Sequence, residues 1–358
     1  MKKVKTGCLL KSVTQCDQEV LDFISHLFIY ITKEQWKWEF LSSPTGSIIK
    51  ICNFDNKIIG HYSLITFPML LSGTIISGAK AEGSLIDINA VRRLQKNDRN
   101  VFGKLVKSCL TEFSSFNKFA VFGFPNRQAL PSQLKHGYKN IKINGYERIY
   151  IRDLSYIARD SNIYIRPFIF ILAKLYKIFF DLAVSCFFRK FNFSKEMTEK
   201  DASDLSIFSF NLSKKNPDIL MANRTYQYYK WRIIDNPYNT GNVLLSRDKD
   251  GEINALIAYS IEKNKYSSYV KIQDIAALDS KAGVSLFNNI FKIMKEENVN
   301  YLTLWDIDNY STNKRFFYKF TPFIYRKIKI SKDMIFYSNL FNDISLNNFD
   351  ISLIYKRF

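Results

Sequence analysis

Three side chains in the first quarter of the chain can act as proton acceptors: His61, Glu82 and Asp87. A general base of this kind removes a proton from an attacking group, such as an ammonium, when it lies within hydrogen-bond reach. Asp87 stands between Ile86 and Ile88, so we expect it to be the more buried carboxylate, and burial raises a carboxyl pKa. The odd separation of Glu82 and Asp87 places them on opposite faces of a regular strand.

Each of the three residues also has a structural interpretation. Asp87 can be a buried carboxylate that bonds the adjacent loop. Glu82, which precedes Gly83, can be solvent exposed, and His61 can be a half-buried residue of a hairpin strand. The pattern alone leaves both interpretations open for each residue.

The elements around these residues occur twice along the chain. Trp36-Lys-Trp38 with Pro44, and Tyr229-Lys-Trp231 with Pro237, place an aromatic residue, a Lys, a Trp and a Pro at the same spacing. An antiparallel hairpin, an acid-bearing strand, an amphipathic helix and a buried strand follow in each half. The segments of the first half are 47–52, 58–65, 85–88, 101–113 and 119–124; those of the second are 242–246, 253–261, 272–275, 284–297 and 301–305.

This repeat predicts an α+β protein of two domains, each with a mixed, mostly antiparallel, twisted sheet flanked by helices. The length of 358 residues also favours two domains. We expect the first domain at 1–155, a hydrophobic linker helix at 156–194 and the second domain at 195–358.

The amino-acid composition indicates which binding partners and which cellular compartment to expect. The net charge of +19 predicts attraction to polyanions such as nucleic acid, anionic lipid or a phosphate-rich small molecule. The 5 Cys residues are scattered without a CxxC pair, which argues against a disulfide framework or a zinc site and is typical of a reducing cytosol. The 3 His residues are dispersed, so we expect no metal site. We predict a cytoplasmic protein that can lie peripherally at the inner face of the membrane.

The hydrophobic segment 167–188 is long enough to cross a membrane, but Lys174, Lys177 and Asp181 interrupt it. Arg166, before the segment, and Arg189, after it, favour a helix at a membrane interface. Three interpretations stay open: a linker helix buried between two domains, an interfacial anchor and a true span.

Several short motifs resemble the GNAT superfamily of acyl-CoA-dependent acyltransferases, and in particular its tandem-domain members. The motifs are the two Trp/Pro segments, Ile58-Ile-Gly60, the helix opening Val101-Phe-Gly-Lys-Leu-Val106, Gly123-Phe-Pro-Asn126 and Gly137-Tyr138. The resemblance covers most of 30–145 and, more weakly, 225–325.

The resemblance implies a site for the pyrophosphate of acyl-CoA on the loop between the acid-bearing strand and the next helix, 101–113. There, backbone N–H groups and a helix N-terminus cradle phosphate. The implied cofactor-binding residues are Asn97, Arg99, Asn100, Val101, Phe102, Gly103 and Asn126. Asn100 replaces the family's key Gly, and Asn is the residue other than Gly that best tolerates a left-handed backbone. Asp98 is unfavourable beside a pyrophosphate, although the neighbouring basic residues can outweigh it.

The resemblance also implies catalytic and acceptor residues. Tyr138 corresponds to a tyrosine that protonates the leaving thiolate, with Asp87 or Glu82 as the base. In the second half Asp274, Trp305 and Asp306 can line the acceptor site, with Asp306 as a partner for an ammonium. The second half has Ser285 at the key loop position, so we expect it to support the fold or shape the acceptor site.

The implied function is transfer of an acyl group, most often acetyl, from acyl-CoA to a small-molecule amine. Tandem relatives point to an amino sugar of bacterial surface polysaccharide, nucleotide-linked or lipid-linked. One alternative is a transferase resembling the aminoacyl-tRNA-dependent peptidoglycan-bridge enzymes, which is the one case that would bring in nucleic acid. Another is a non-catalytic GNAT-fold module that binds a partner or a membrane surface.

Overall fold

The computed structural model describes residues 8–27, 30–155, 164–187, 194–265, 267–307 and 325–340. The chain divides into two compact units that are not contiguous in sequence. Within the described ranges, unit 1 contains residues 8–70, 74–142 and 332–340, and unit 2 contains residues 71–73 and 143–331. Three of the boundaries therefore fall inside strands, after Leu70, after Lys142 and after Ser331.

The elements of unit 1 begin with a short strand and two helices that precede a long hairpin. They are β1 (Leu9–Ser12), α1 (Gln18–Leu27), α2 (Lys33–Phe40), β2 (Ser47–Phe54), β3 (Lys57–Leu71), β4 (Thr74–Ile86), α3 (Ile88–Arg92), α4 (Val101–Phe113), β5 (Phe119–Gly123) and α5 (Leu130–Leu134). Strand β6 (Lys139–Ile151) leads out of the unit, and the last strand, β13 (Tyr325–Ser338), returns to it.

The unit 1 sheet has the strand order β1-β2-β3-β4-β5-β13. Pairing is antiparallel between β1, β2 and β3, and β5 pairs antiparallel with Ile335–Ser338 of β13. The β4–β5 pair is parallel because α4 carries the chain back across the sheet between them. Helix α4 packs its apolar face on one side of the sheet, where Leu105, Val106 and Cys109 are completely buried.

Unit 2 contains a long helix, several shorter helices and a further set of strands. Its elements are α6 (Arg166–Phe187), β7 (Ser194–Glu196), α7 (Ala202–Lys215), β8 (Met221–Ala222), α8 (Tyr226–Tyr229) with a following π-helical turn (Lys230–Ile234), β9 (Gly241–Arg247), β10 (Ile253–Lys263), β11 (Ser268–Ala277), α9 (Ser280–Glu296) and β12 (Tyr301–Ile307).

The unit 2 sheet has the order β6-β12-β11-β10-β9-β7. Pairing is antiparallel except for β11–β12, which is parallel and joined through α9. Each unit thus contains an antiparallel hairpin followed by a strand, a crossover helix and a parallel strand. The prediction of a mixed sheet with helices is confirmed, and α4 has the predicted bounds 101–113.

One disulfide was not predicted from the scattered cysteines. Cys8, the residue before β1, is paired with Cys52 of β2, and their Cα atoms are 6.2 Å apart; in the β1–β2 register Leu10 faces Cys52, so Cys8 lies two residues further along. The hydrophobic segment forms the single helix α6, whose outer side chains, such as Phe168 and Leu182, are more than half exposed. No helix in the described ranges is both long enough and apolar enough to cross a bilayer.

Candidate functional site

The ladder between β4 and β5 ends partway along β4. It runs from Ser77–Phe119 to Ala81–Gly123, where β5 ends, while β4 continues to Ile86. Glu82 is therefore the first β4 residue beyond the ladder. Its carboxylate lies 2.6 Å from the ammonium group of Lys80, and both side chains are largely buried. This pairing fixes a charged carboxylate directly after the end of the ladder.

The same stretch of β4 is held from its other neighbour, β3. Gly83 has φ +62°, a left-handed conformation that residues with a Cβ rarely adopt. The Oγ of Ser63 donates to the carbonyl oxygen of Glu82 at 2.8 Å, and Nδ1 of His61 bonds the carbonyl oxygen of Gly83 at 2.6 Å. Side chains of β3 therefore hold the irregular part of β4 in place.

His61 is fully buried, and its environment fixes its charge and tautomer. Burial lowers its pKa to about 4, so the ring is neutral at pH 7. Because the Gly83 carbonyl can only accept, Nδ1 carries the proton and Nε2 presents a lone pair. Nε2 is buried without a hydrogen-bond partner in the described part of the chain, and Phe40 packs against the ring edge-on. The histidine is more buried than its hairpin position predicted.

The N-terminus of α4 is packed close to the end of β4. A Cβ at Gly60 of β3 would lie 2.9 Å from side-chain atoms of Ile86, Val101 and Leu105. Only a glycine allows the first turn of α4 and the last residue of β4 to meet on β3. This contact gives a physical reason for the glycine that ends the Ile58-Ile-Gly60 motif.

The loop before α4 is organised by its own polar groups. Asn100 is the N-cap of α4, and its Oδ1 accepts from the N–H of Gly103 at 3.1 Å. Its φ is −80°, so the expectation of a left-handed Asn100 was wrong: a helix N-cap requires a negative φ, and the side chain acts as a capping acceptor.

Two of the loop's basic side chains have internal partners. The guanidinium of Arg99 donates to the carbonyl oxygens of Leu94 and Arg92 at the end of α3, at 3.1 and 3.2 Å. The Lys104 ammonium pairs with Asp98 at 2.8 Å, which neutralises the acid expected to repel phosphate. Arg92, Arg93 and Lys96 are exposed on the same loop.

The other predicted cofactor residues have different surroundings. Asn97 is exposed on a 3-10 turn, and Val101 is buried against β3. The ring of Phe102 lies edge-on to Tyr62, with centroids 5.8 Å apart. Asn126 follows β5, where its Oδ1 accepts from the N–H groups of Gln128 and Ala129 and shapes the turn into α5.

Asp87 lies just past the end of β4 and caps a helix. Its Oδ1 accepts from the N–H of Ala90 at 2.9 Å, and it is the N-cap of α3. Its backbone N–H donates to Ile59 of β3 at 2.9 Å. The side chain is half-buried rather than buried in a strand, so the geometry agrees with its structural interpretation.

Tyr138 lies in the core of unit 1. It is 3% exposed, and its hydroxyl is 2.8 Å from the Tyr62 hydroxyl. Burial raises the pKa of both phenols well above the ordinary tyrosine value. A phenol in this environment stays protonated, and its hydrogen bond is already satisfied within the core.

Among the predicted acceptor residues of the second half, Asp274 is engaged in a buried ion pair. Both oxygens of Asp274 bond the buried guanidinium of Arg224, at 2.9 and 3.1 Å, and the Tyr229 hydroxyl donates to the same carboxylate at 2.7 Å. Removing one partner of such a buried pair costs about 3–5 kcal/mol, so this carboxylate is structural. Trp305 is half-buried on β12, and the backbone of Asp306 pairs with Tyr146, while its side chain lies outside the described residues.

Sequence reasoning missed the contributions of Lys80, Ser63 and Arg224. Lys80 and Glu82 alternate on β4 and so share a face, which was a usable signal. Ser63 and Arg224 act on partners distant in sequence, and nothing local marks them.

Comparison with solved structures identifies the fold. A GCN5-related N-acetyltransferase from Anabaena variabilis matches 92% of this chain over 72% of its own length, with 12% identity and a TM-score of 0.58. A probable N-acyltransferase from Enterococcus faecalis matches the same shares with 9% identity and a TM-score of 0.59. Saccharomyces cerevisiae N-myristoyltransferase with bound myristoyl-CoA matches 93% of this chain over 82% of its own, with 11% identity and a TM-score of 0.54.

These likenesses show that the chain has the fold of GNAT acyltransferases. No family model and no curated protein matches the sequence.

Proposed function

We propose that this protein is an acyl-CoA-dependent N-acyltransferase built from two GNAT-like halves in tandem, with its donor site in unit 1. The observation that carries the proposal is the end of the β4–β5 ladder at Ala81–Gly123, beyond which β4 continues to Ile86 without a β5 partner. An extended pantetheine arm can lie along β4 beyond the end of this ladder, where the β4 backbone can offer N–H groups to a thioester carbonyl.

The N-terminus of α4 supports a place for the donor's phosphates. Its first N–H groups have no partner within the helix, and a helix N-terminus favours anions. Asn100 satisfies the N–H of Gly103, which leaves those of Val101 and Phe102 for a ligand. The exposed Arg92, Arg93 and Lys96 add positive charge on the same loop.

Glu82 is the base that the geometry supports best. The amine nitrogen of the acceptor attacks the thioester carbonyl carbon, the proton that the nitrogen gives up passes to the Glu82 carboxylate, and the carbon–sulfur bond breaks to release CoA. Lys80 holds the carboxylate directly after the end of the ladder. The named N-acetyltransferase and N-acyltransferase neighbours support an amine acceptor, and we retain the amino sugar as the class to test first.

The test is release of free CoA thiol from acetyl-CoA in the presence of primary amines, including free and nucleotide-linked amino sugars. We expect amine-dependent release, and a loss of about 10²–10⁴-fold in rate for Glu82→Gln, the range typical of a removed general base. Glu112→Gln, which changes an exposed carboxylate on α4 that pairs with Lys50, is the matched control and should keep the rate. Full activity in Glu82→Gln would reject this residue as the base.

A further inference from the structure

The outer face of α6 is an exposed apolar surface. Side chains at helical spacing along this face are 53–64% exposed; they are Phe168, Ile171, Leu175, Ile178, Phe179 and Leu182. Residues three and four apart lie on one side of a helix, so the six form a continuous stripe that we call the α6 apolar face. The exposed thiol of Cys186 continues it by the same spacing.

Three polar side chains of α6 point the other way, into unit 2. The Tyr176 hydroxyl donates to the carbonyl oxygen of Ile151 at 3.0 Å, and the Lys177 ammonium donates to Oδ1 of Asn298 at 2.9 Å. Both oxygens of Asp181 bond the Arg152 guanidinium, at 2.8 and 2.9 Å. A helix on the surface of a water-soluble domain normally shows the opposite distribution.

The rotation of α6 is fixed by the core as well as by these polar bonds. Ala173, Phe180, Ala183 and Val184 are buried in the unit 2 core. Turning the apolar face inward would remove these contacts and leave the Arg152–Asp181 pair broken, a change that costs several kcal/mol for a largely buried pair. The α6 apolar face is therefore held outward by the fold.

The segment that forms α6 is basic in sequence. Residues 164–190 contain Arg166, Lys174, Lys177, Arg189 and Lys190 against the single acid Asp181, which is paired with Arg152. Lys174 is exposed beside the apolar face. A second copy of this chain would bring two basic surfaces together, and like charges disfavour that contact. An anionic lipid surface matches both the apolar stripe and its basic flank.

We propose that α6 lies flat on an anionic bilayer, with its apolar face inserted at the boundary between headgroups and acyl chains and the exposed Lys174 among the lipid phosphates. The polar inner face of α6 and its bonds to unit 2 keep the helix in the plane of the surface. The occupant of the α6 apolar face is thus lipid.

Flotation of the full chain with vesicles tests this proposal. Vesicles of phosphatidylcholine alone are compared with vesicles that also contain phosphatidylglycerol. We expect binding to the anionic vesicles that weakens with added salt. Leu175→Glu/Phe179→Glu should lower the fraction bound by at least about tenfold, since both apolar side chains would then resist burial.

The matched control is Ile207→Glu, which changes a residue of α7 that is 55% exposed, close to the 53% of Phe179. It should bind like the unaltered protein. Binding to neither vesicle would overturn the proposal, and so would an equal loss in both variants. A third outcome would also overturn the proposal. If the unaltered protein does not float but self-associates in light scattering, and the Leu175→Glu/Phe179→Glu variant is monomeric, the α6 apolar face is a contact between copies of the chain.

A second readout does not depend on a charge inserted in the helix. A polarity-sensitive dye on Cys186 should shift its emission to the blue with anionic vesicles, because the thiol lies on the α6 apolar face. The same dye on an introduced cysteine, in Ile207→Cys/Cys186→Ser, should show no shift. A Cys186 label whose emission is unchanged by vesicles would contradict insertion.

Discussion

At the residue scale, His61 explains how an irregular strand is held beside the proposed donor site. The ring is buried, donates from Nδ1 to the Gly83 carbonyl and is neutral, because burial lowers its pKa to about 4. A protonated ring would be buried with no carboxylate among its hydrogen-bond partners in the described residues. Protonation of this ring is therefore linked to the stability of the fold.

We predict that this coupling appears in the pH dependence of stability. In the unfolded chain a histidine has a pKa near 6.5, whereas in the fold it is about 4. As the pH falls through this window the unfolded chain takes up a proton that the folded chain does not, so the free energy of unfolding falls, by about 3 kcal/mol in all. Above the window the contribution is fully present. Urea unfolding between neutral and acidic pH measures it.

His61→Gln should remove this part of the pH dependence. The control is His26→Gln, which changes an exposed histidine on α1 and should leave the slope as in the unaltered protein. Identical slopes for the unaltered protein and His61→Gln would show that the buried ring does not titrate in this way.

Residue roles were only partly predictable from the sequence. Glu82 and Asp87 were both identified as candidate bases, but the structure gives them different surroundings. Glu82 lies directly after the end of the β4–β5 ladder, and Asp87 caps α3. Asp274 looked like an acceptor ligand because its partner, Arg224, is distant in sequence. Long-range pairs of this kind leave no mark in local spacing.

At the scale of elements, α4 is positioned by a close contact and a cap. Gly60 lets its first turn meet β3 and the end of β4, and Asn100 closes its N-terminus. The amphipathic spacing predicted the helix and its bounds, because an apolar stripe at that period fits one side of a sheet. The cap geometry of Asn100 was not predicted, since the family pattern pointed to a left-handed residue there.

We predict that the cap is a stability element that can be separated from ligand binding. Asn100→Ala removes the acceptor for the Gly103 N–H and should lower the free energy of unfolding by about 1 kcal/mol. Asn100→Asp keeps an equally good cap and should be neutral or slightly stabilising, because a carboxylate interacts well with a helix N-terminus. Chemical denaturation of the three proteins measures this order, and equal stability of Asn100→Ala and the unaltered protein would contradict it.

At the scale of the whole molecule, the order of elements in each half was visible in the sequence. The pairing of the last strand, β13, with β5 of unit 1 was not. Hydrophobic patterns locate strands and helices along the chain, whereas the place of β13 beside β5 depends on contacts between residues about two hundred positions apart. The net charge of +19 agrees with both proposed ligands, a donor rich in phosphate and an anionic lipid surface.

The most direct test of the central claim, a donor site in unit 1, is calorimetric titration of the protein with acetyl-CoA and desulfo-CoA. We predict micromolar binding, which corresponds to about 8 kcal/mol of association. In Asn100→Asp the binding should weaken by at least about tenfold at unchanged stability, because the added carboxylate repels phosphate at the helix N-terminus. Absence of binding by both ligands, or full affinity in Asn100→Asp, would contradict a donor site at this end of α4.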